Sequence, residues 1–123
     1  MALHNETGKK GEQVALKYLM HNGYRILATN WQYKKFEIDL IAQIGDELIF
    51  VEVKTRKNKF FGEAKDAVTP KKQQHLIEGA EHYMEQNDLD AEARFDVICV
   101  YYDINHPAEP EVEHIVDAFG AEW

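Results

Sequence analysis

The chain has one cysteine, Cys99, and no serine. A single thiol cannot close an intramolecular disulfide, and without a second cysteine there is no CxxC pair to hold zinc. The lack of serine removes every serine-nucleophile mechanism. No apolar run approaches the roughly 20 residues needed to cross a bilayer. The start, Met1-Ala2-Leu3-His4-Asn5-Glu6, has neither the basic opening nor the apolar middle of a signal peptide. We therefore expect a cytoplasmic protein without a membrane partner. Repeats, low-complexity tracts and Pro/Gly/Ser-rich linkers are absent, so residues 1–123 read as a single domain. There is no glycine-rich phosphate loop, because Gly8-Lys9-Lys10-Gly11 lacks the preceding strand and the further glycine of a dinucleotide fingerprint.

What is present is ordinary in bulk and uneven in detail. A composition of 45% hydrophobic and 29% charged residues excludes disorder for most of the chain. The net charge of −8 argues at first against a polyanionic partner. That total is split, however. Residues 1–72 carry 13 of the 14 Lys and Arg but only 9 of the 22 Asp and Glu, while residues 73–123 carry a net −12. Within 54–72 alone, seven cations face Glu63 and Asp66. Salt screens the distant acidic half beyond about 8–10 Å, so such a patch can attract phosphate on an acidic protein. It could equally be a solvated basic loop.

The order of elements follows from periodicity and punctuation. Residues 8–22 predict a helix with Val14, Ala15, Tyr18 and Leu19 on one side and Asn22-Gly23 as its stop. Tyr24 to Trp31 predicts a strand. Phe36–Ile44 and Glu47–Arg56 predict a hairpin joined by Gly45-Asp46, a pair suited to positive φ. Residues 57–68 read as a loop. Thr69-Pro70 supplies an N-cap and first-turn proline for a helix to about Gln86, with Leu76, Ala80 and Tyr83 on its apolar side. Arg94–Asp103 predicts another strand, and Val112–Val116 a short last one. The class is α/β: an α-β-β-β-α-β core with a central sheet flanked by helices.

The hairpin brings ionisable residues together. With Gly45 and Asp46 as the turn, counting back places Asp39 opposite Glu52 and Glu37 opposite Lys54. Opposed side chains share a face with Cβ atoms about 4.5–5.5 Å apart. Like charges there are destabilising, and buried carboxylates are costly unless neutralised. A divalent cation between Asp39 and Glu52 would neutralise them, and oxygen ligands without His or Cys favour Mg²⁺ or Mn²⁺ over zinc. The alternative is a half-exposed polar face with a Glu37–Lys54 salt bridge and a tolerated acid pair. Glu12 lies on the stripe of Ala15, Leu16 and Leu19, so it is either a further acid of the site or a first-turn acid favoured by the helix dipole. Lys71 and Lys72 open the second helix, where they are either a phosphate site or a solvated pair. The six histidines show no ligand spacing, and Cys99 in an apolar strand reads as a small core residue.

Asp39 followed by Glu52-Val53-Lys54 on the next strand resembles the D…ExK core of the PD-(D/E)XK nuclease superfamily. More closely, Gly11-Glu12, Tyr18-Leu19, Asn30-Trp31, Glu37-Ile38-Asp39-Leu40-Ile41-Ala42, Phe50-Val51-Glu52-Val53-Lys54-Thr55-Arg56 and Arg94-Phe95-Asp96-Val97 resemble the YraN-like family of small bacterial proteins. The likeness extends to Ala118-Phe119. It implies a restriction-endonuclease-like fold with a mixed sheet, similar to that of Holliday-junction resolvases. It further implies that Asp39 and Glu52 bind a catalytic Mg²⁺ or Mn²⁺, that Lys54 positions or activates the attacking water, and that Glu12 is an auxiliary acid. Glu37 and Gln73 are further contributors under the same reading. Phe36 stands where many family members have glycine, Gln32 where they have arginine, and Ile38 where the superfamily's name has proline.

The function expected from this resemblance is metal-dependent endonuclease hydrolysis of phosphodiester bonds in nucleic acid, most simply branched DNA. Arg56, Lys57, Lys71, Lys72 and Gln73 would be its weaker nucleic-acid contacts. The competing expectation is a nucleic-acid-binding or assembly module that keeps the fold without cleaving, with Trp31, Tyr33, Phe60 and Phe61 stacking bases or packing a partner. A homodimer is the remaining partner implied, since resolvase-like proteins act on two-fold substrates.

Overall fold

The computed structural model describes residues 2–56, 68–103 and 106–120, with side chains described for 10–56, 68–102 and 110–120. The element order is α1 (Ala2–His21), β1 (Arg25–Tyr33), β2 (Phe36–Ile44), β3 (Glu47–Arg56), α2 (Pro70–Gln86), β4 (Glu92–Asp103) and β5 (His106–Phe119). This is the expected α-β-β-β-α-β order with a fifth strand. That last strand is longer than predicted because it pairs along most of β4 rather than capping its end. The loop expected over 57–68, with Lys57, Phe60 and Phe61, lies outside the described residues up to 67.

The five strands form one sheet in the order β1-β2-β3-β4-β5. Only β3 and β4 run parallel; the other three pairings are antiparallel. A parallel pair needs a crossover connection, and α2 is part of it. The hairpin turn takes positive φ at Gly45 (58°) but not at Asp46. Positive φ at the first central residue alone is the requirement of a type II′ turn, not the type I′ turn that two such residues would make.

Alternation along β3 and β4, and along β2 from Leu40 onward, sorts the core onto two faces, with the β2 period broken at Asp39 between Ile38 and Leu40. On one, Ala15 and Leu19 of α1 pack against Leu40, Ala42, Ile49, Val51, Ile98 and Val100. On the other, Leu76, Ile77, Ala80 and Tyr83 of α2 pack against Ile38, Ile41, Leu48, Phe50, Phe95, Val97 and Cys99. Cys99 is fully buried, as a core residue should be. Strands β3 and β4 are covered on both sides, which explains their near-continuous apolar runs. At Gly11, α1 approaches β3 so closely that a Cβ would overlap Thr55 Oγ1.

Candidate metal and phosphate site

The hairpin keeps the predicted register, but its ladder ends at Leu40–Val51. Asp39 and Glu52 are therefore not ladder partners. Beyond that pair, the Asp39 carboxylate accepts the Val53 N–H through Oδ2 at 2.9 Å. A side chain takes the place of the next backbone acceptor, which opens the hairpin at its far end. Asp39 becomes part of the split rather than a group projecting from a regular sheet.

Glu52 alternates with Val51 and Val53 of the α1 face and so faces α2. It is buried, with only 6% of its surface exposed. Its carboxylate lies between two ammonium groups: Lys54 Nζ is 3.8 Å from Oε1 and Lys72 Nζ is 3.9 Å from Oε2. Burial first, and then the Asp39 carboxylate, push Glu52 up to about 7 against the pull of both lysines. Asp39 is raised as well, by burial, although the Val53 N–H, Lys72 and Lys54 oppose the shift. Two acids held above their ordinary values by burial and nearby carboxylates form a donor set that a hard divalent cation suits.

The expected Glu37–Lys54 pair does not form, because the ladder has ended and Lys54 turns to Glu52. Glu37 instead pairs across to β1, where Gln32 Nε2 donates to its Oε1 at 2.9 Å. Gln32 thus engages this exposed acid directly. Glu37 still adds negative charge to the site, acting on both Asp39 and Glu52.

Lys72 reaches Glu52 from the first turn of α2, and local sequence puts it there. Thr69 caps the helix, its side chain accepting the Lys72 N–H at 3.2 Å, and Pro70 sets the first turn. Gln73 faces back into this turn, donating from Nε2 to Val68 O at 3.0 Å. Lys71 is exposed, and Arg56 is half-buried at the end of β3, opposite Tyr101. Glu12 lines a cleft of about 320 Å³ with Gln13, Leu16, Thr29, Asn30 and Leu40. Leu16 and Leu40 of this cleft belong to the α1 face, whereas Glu52 is on the α2 face, so Glu12 is not brought into the cluster of Glu52 and its lysines. Among the described residues, no three His, Cys, Asp or Glu side chains converge to hold one ion.

Two groups of contacts go beyond what the hairpin count gives. Lys72 was visible as a first-turn lysine, but its pairing with Glu52 depends on the crossover that returns α2 to β3. The second group is a polar network on the α1 face, built between strands far apart in the sequence. Asp96 is fully buried and accepts a two-pronged contact from Arg94, with Nε at 2.9 Å from Oδ1 and Nη2 at 2.8 Å from Oδ2. His114 Nε2 lies 2.6 Å from Asp96 Oδ2, and the Asp117 N–H donates to Oδ1 at 3.0 Å. Tyr18 O–H meets His114 Nδ1 at 3.1 Å, and Arg94 Nη2 donates to Tyr24 O–H at 2.8 Å. Burial raises the Asp96 carboxyl, but hydrogen bonds from His114, Arg94 and Asp117 outweigh it and hold the group below its ordinary value. Alternation of Arg94, Asp96 and Ile98 was the available sequence signal.

Of the aromatic residues considered for base stacking, Trp31 and Tyr33 have partners within the fold, while Phe60 and Phe61 lie outside the described residues. Trp31 stacks on Tyr33 with centroids 6.3 Å apart and meets Tyr83 edge-on at 5.7 Å. His75 and His82 pack their rings on Phe36, each at 4.9 Å, as packing histidines rather than ligands.

Fold and cluster together define a mixed α/β protein with a carboxylate–lysine centre where a hairpin splits. Residues 11–100 match the family described as uncharacterised protein family UPF0102, and the chain belongs to that family. A UPF0102 protein of Christiangramia forsetii is 48% identical over 119 residues, spanning 97% of this chain and 98% of that protein. One from Flavobacterium psychrophilum is 47% identical with the same coverage, and one from Phocaeicola vulgatus is 43% identical, spanning 97% of this chain and 96% of its own length. Among the described residues, no helix is long and apolar enough to cross a membrane.

Proposed function

We propose that this protein is a divalent-metal-dependent endonuclease that hydrolyses phosphodiester bonds, with DNA as its substrate and branched DNA as the first form to test. The observation that carries the reading is the convergence of Asp39, Glu52 and Lys54 at the open end of the β2–β3 hairpin, joined by Lys72 from α2. Asp39 and Glu52 would hold Mg²⁺ or Mn²⁺. Such an ion, when bound, supplies Lewis-acid stabilisation of charge developing on the phosphoryl oxygens. Lys54 orients the attacking water and offsets negative charge at the reacting phosphate. Asp39, fixed by the Val53 N–H, holds its position without reorganisation, and Lys71 and Arg56 extend the cationic approach.

The test is cleavage of supercoiled, single-stranded and four-way-junction DNA with Mn²⁺, comparing wild type with Asp39→Ala and Lys54→Ala. Wild-type cleavage with a loss of about 10²-fold or more in each variant is expected. A wild type that cuts none of the three, or variants that cut as well as it does, would refute catalysis. A second reading, a binding module without turnover, draws on the absence of a third converging acid among the described residues. DNA binding that persists without cleavage would favour it.

A further inference from the structure

Lys72 occupies a position its own helix disfavours. It lies in the first turn of α2, where the partial positive charge of the helix end opposes a cation. Its compensation comes from another element, through Glu52 Oε2 at 3.9 Å. This separation exceeds the roughly 2.7–2.9 Å of a charge-assisted hydrogen bond, as does that of Lys54. The Glu52 side chain is 8% exposed, whereas Lys54 and Lys72 are 38% and 35% exposed. A buried carboxylate is thus flanked by two loosely seated ammonium groups that reach water. They differ in attachment: Lys54 shares a strand with Glu52, whereas Lys72 approaches on a flexible four-carbon stem from the start of a helix.

We propose that Lys72 is the resident counter-cation of Glu52 in the metal-free protein, and that it yields the carboxylate on divalent-cation binding and turns its ammonium to a substrate phosphate. The inference rests on the nuclease reading above and gives α2 a part in it. An ammonium 3.9 Å from Glu52 competes with any second cation for the same oxygen. Once released, Lys72 stays at a helix start whose dipole favours a phosphate. One side chain then serves both states, satisfying the carboxylate before the ion arrives and the substrate afterwards.

The experiment is a calorimetric titration of the full chain with Mn²⁺ in wild type, Lys72→Met, Lys72→Gln and Lys71→Met. It is paired with four-way-junction binding in Ca²⁺ across a salt series. Removing the competing ammonium is expected to tighten Mn²⁺ binding about three- to tenfold in both Lys72 variants and to leave it unchanged in Lys71→Met. The same Lys72 variants should bind junction DNA more weakly, with a salt slope smaller by about one. The exchange is overturned by Lys72 variants that bind Mn²⁺ no tighter, by equal tightening in Lys71→Met, or by tighter Mn²⁺ binding with unaltered DNA affinity. Wild type that cleaves DNA while its Lys72 variants show no tightening would sink the exchange alone. Absence of Mn²⁺ binding in wild type and all variants would sink the nuclease reading with it.

Discussion

The Asp39 carboxylate, not a carbonyl of β2, accepts the Val53 N–H at 2.9 Å, and the hairpin ladder ends one pair earlier, at Leu40–Val51. Asp39→Ala removes that acceptor and leaves a part-buried N–H unpaired, for a destabilisation of about 1–3 kcal/mol. Asp39→Asn keeps an acceptor while removing repulsion on Glu52, so it should match or exceed wild-type stability without metal. Urea denaturation distinguishes the two, and equal losses would count against the bond's structural role.

The raised Glu52 pKa makes metal-free stability depend on pH in a defined direction. The ordinary value is 4.5 and the folded value about 7, so the folded state binds the extra proton between them. Below 4.5 the group is protonated in both states. As pH rises to about 7 its contribution is lost, on the order of 3 kcal/mol at most. Glu52→Gln should therefore gain on wild type as pH rises, with little difference at pH 4.5 and the greatest at pH 8. A difference that does not vary with pH would contradict the shift.

Mn²⁺ stabilisation should show the same linkage. Ligand carboxylates must be ionised, so the ion competes with protons at Glu52 and Asp39. The rise in melting temperature with Mn²⁺ is expected to be larger at pH 8 than at pH 5.5 and to vanish in Asp39→Asn. Equal rises at both pH values would place the ion elsewhere.

The Asp96 network predicts a large stability effect remote from the proposed chemistry. Asp96→Ala takes the principal partner from half-buried Arg94, which keeps Glu47 and Tyr24, and removes the acceptor of the Asp117 N–H, so the loss is expected to approach the lower end of the about 3–5 kcal/mol for breaking a buried pair from one side. Hydrogen exchange should show β5 losing protection first, because His114 and the Asp117 N–H both anchor to Asp96. Unchanged β5 protection would argue that the ladder alone holds that strand.

At Gly11 the helix advantage of alanine and the packing cost have opposite signs. Alanine gains about 1 kcal/mol in a helix interior. The added Cβ meets Thr55 Oγ1, and forcing atoms into a packed contact costs about 1–3 kcal/mol. A net loss is expected in thermal denaturation of Gly11→Ala, recovered at least partly in the double variant with Thr55→Ala.

Much of this was legible in the chain. Phe36–Ile44, Glu47–Arg56 and Pro70–Gln86 have the predicted bounds, because a two-residue turn and a Thr-Pro start are local instructions. Asp39, Glu52 and Lys54 could be gathered by counting along one hairpin. What counting missed is where a side chain supplants the ladder: Asp39 at Val53, and Asp96 at the β4–β5 register shift between Phe95 and Val97. Lys72 reaches Glu52 only through the crossover, and Asp96 meets His114 only through a strand far along the sequence. Local periodicity records neither.

That distance bears on the order in which the molecule is made. Tyr18 and His114, joined at 3.1 Å, are 96 residues apart, whereas Asp39, Glu52, Lys54 and Lys72 all lie within 39–72. Closing a long loop carries the greater entropic cost and favours slow, late formation. A chain emerging from synthesis therefore holds every residue of the acid–lysine cluster before His114 exists to fasten β5. Until then β4 presents an unpaired edge, and the interval before that fastening is when the protein is most exposed to strand pairing with another copy.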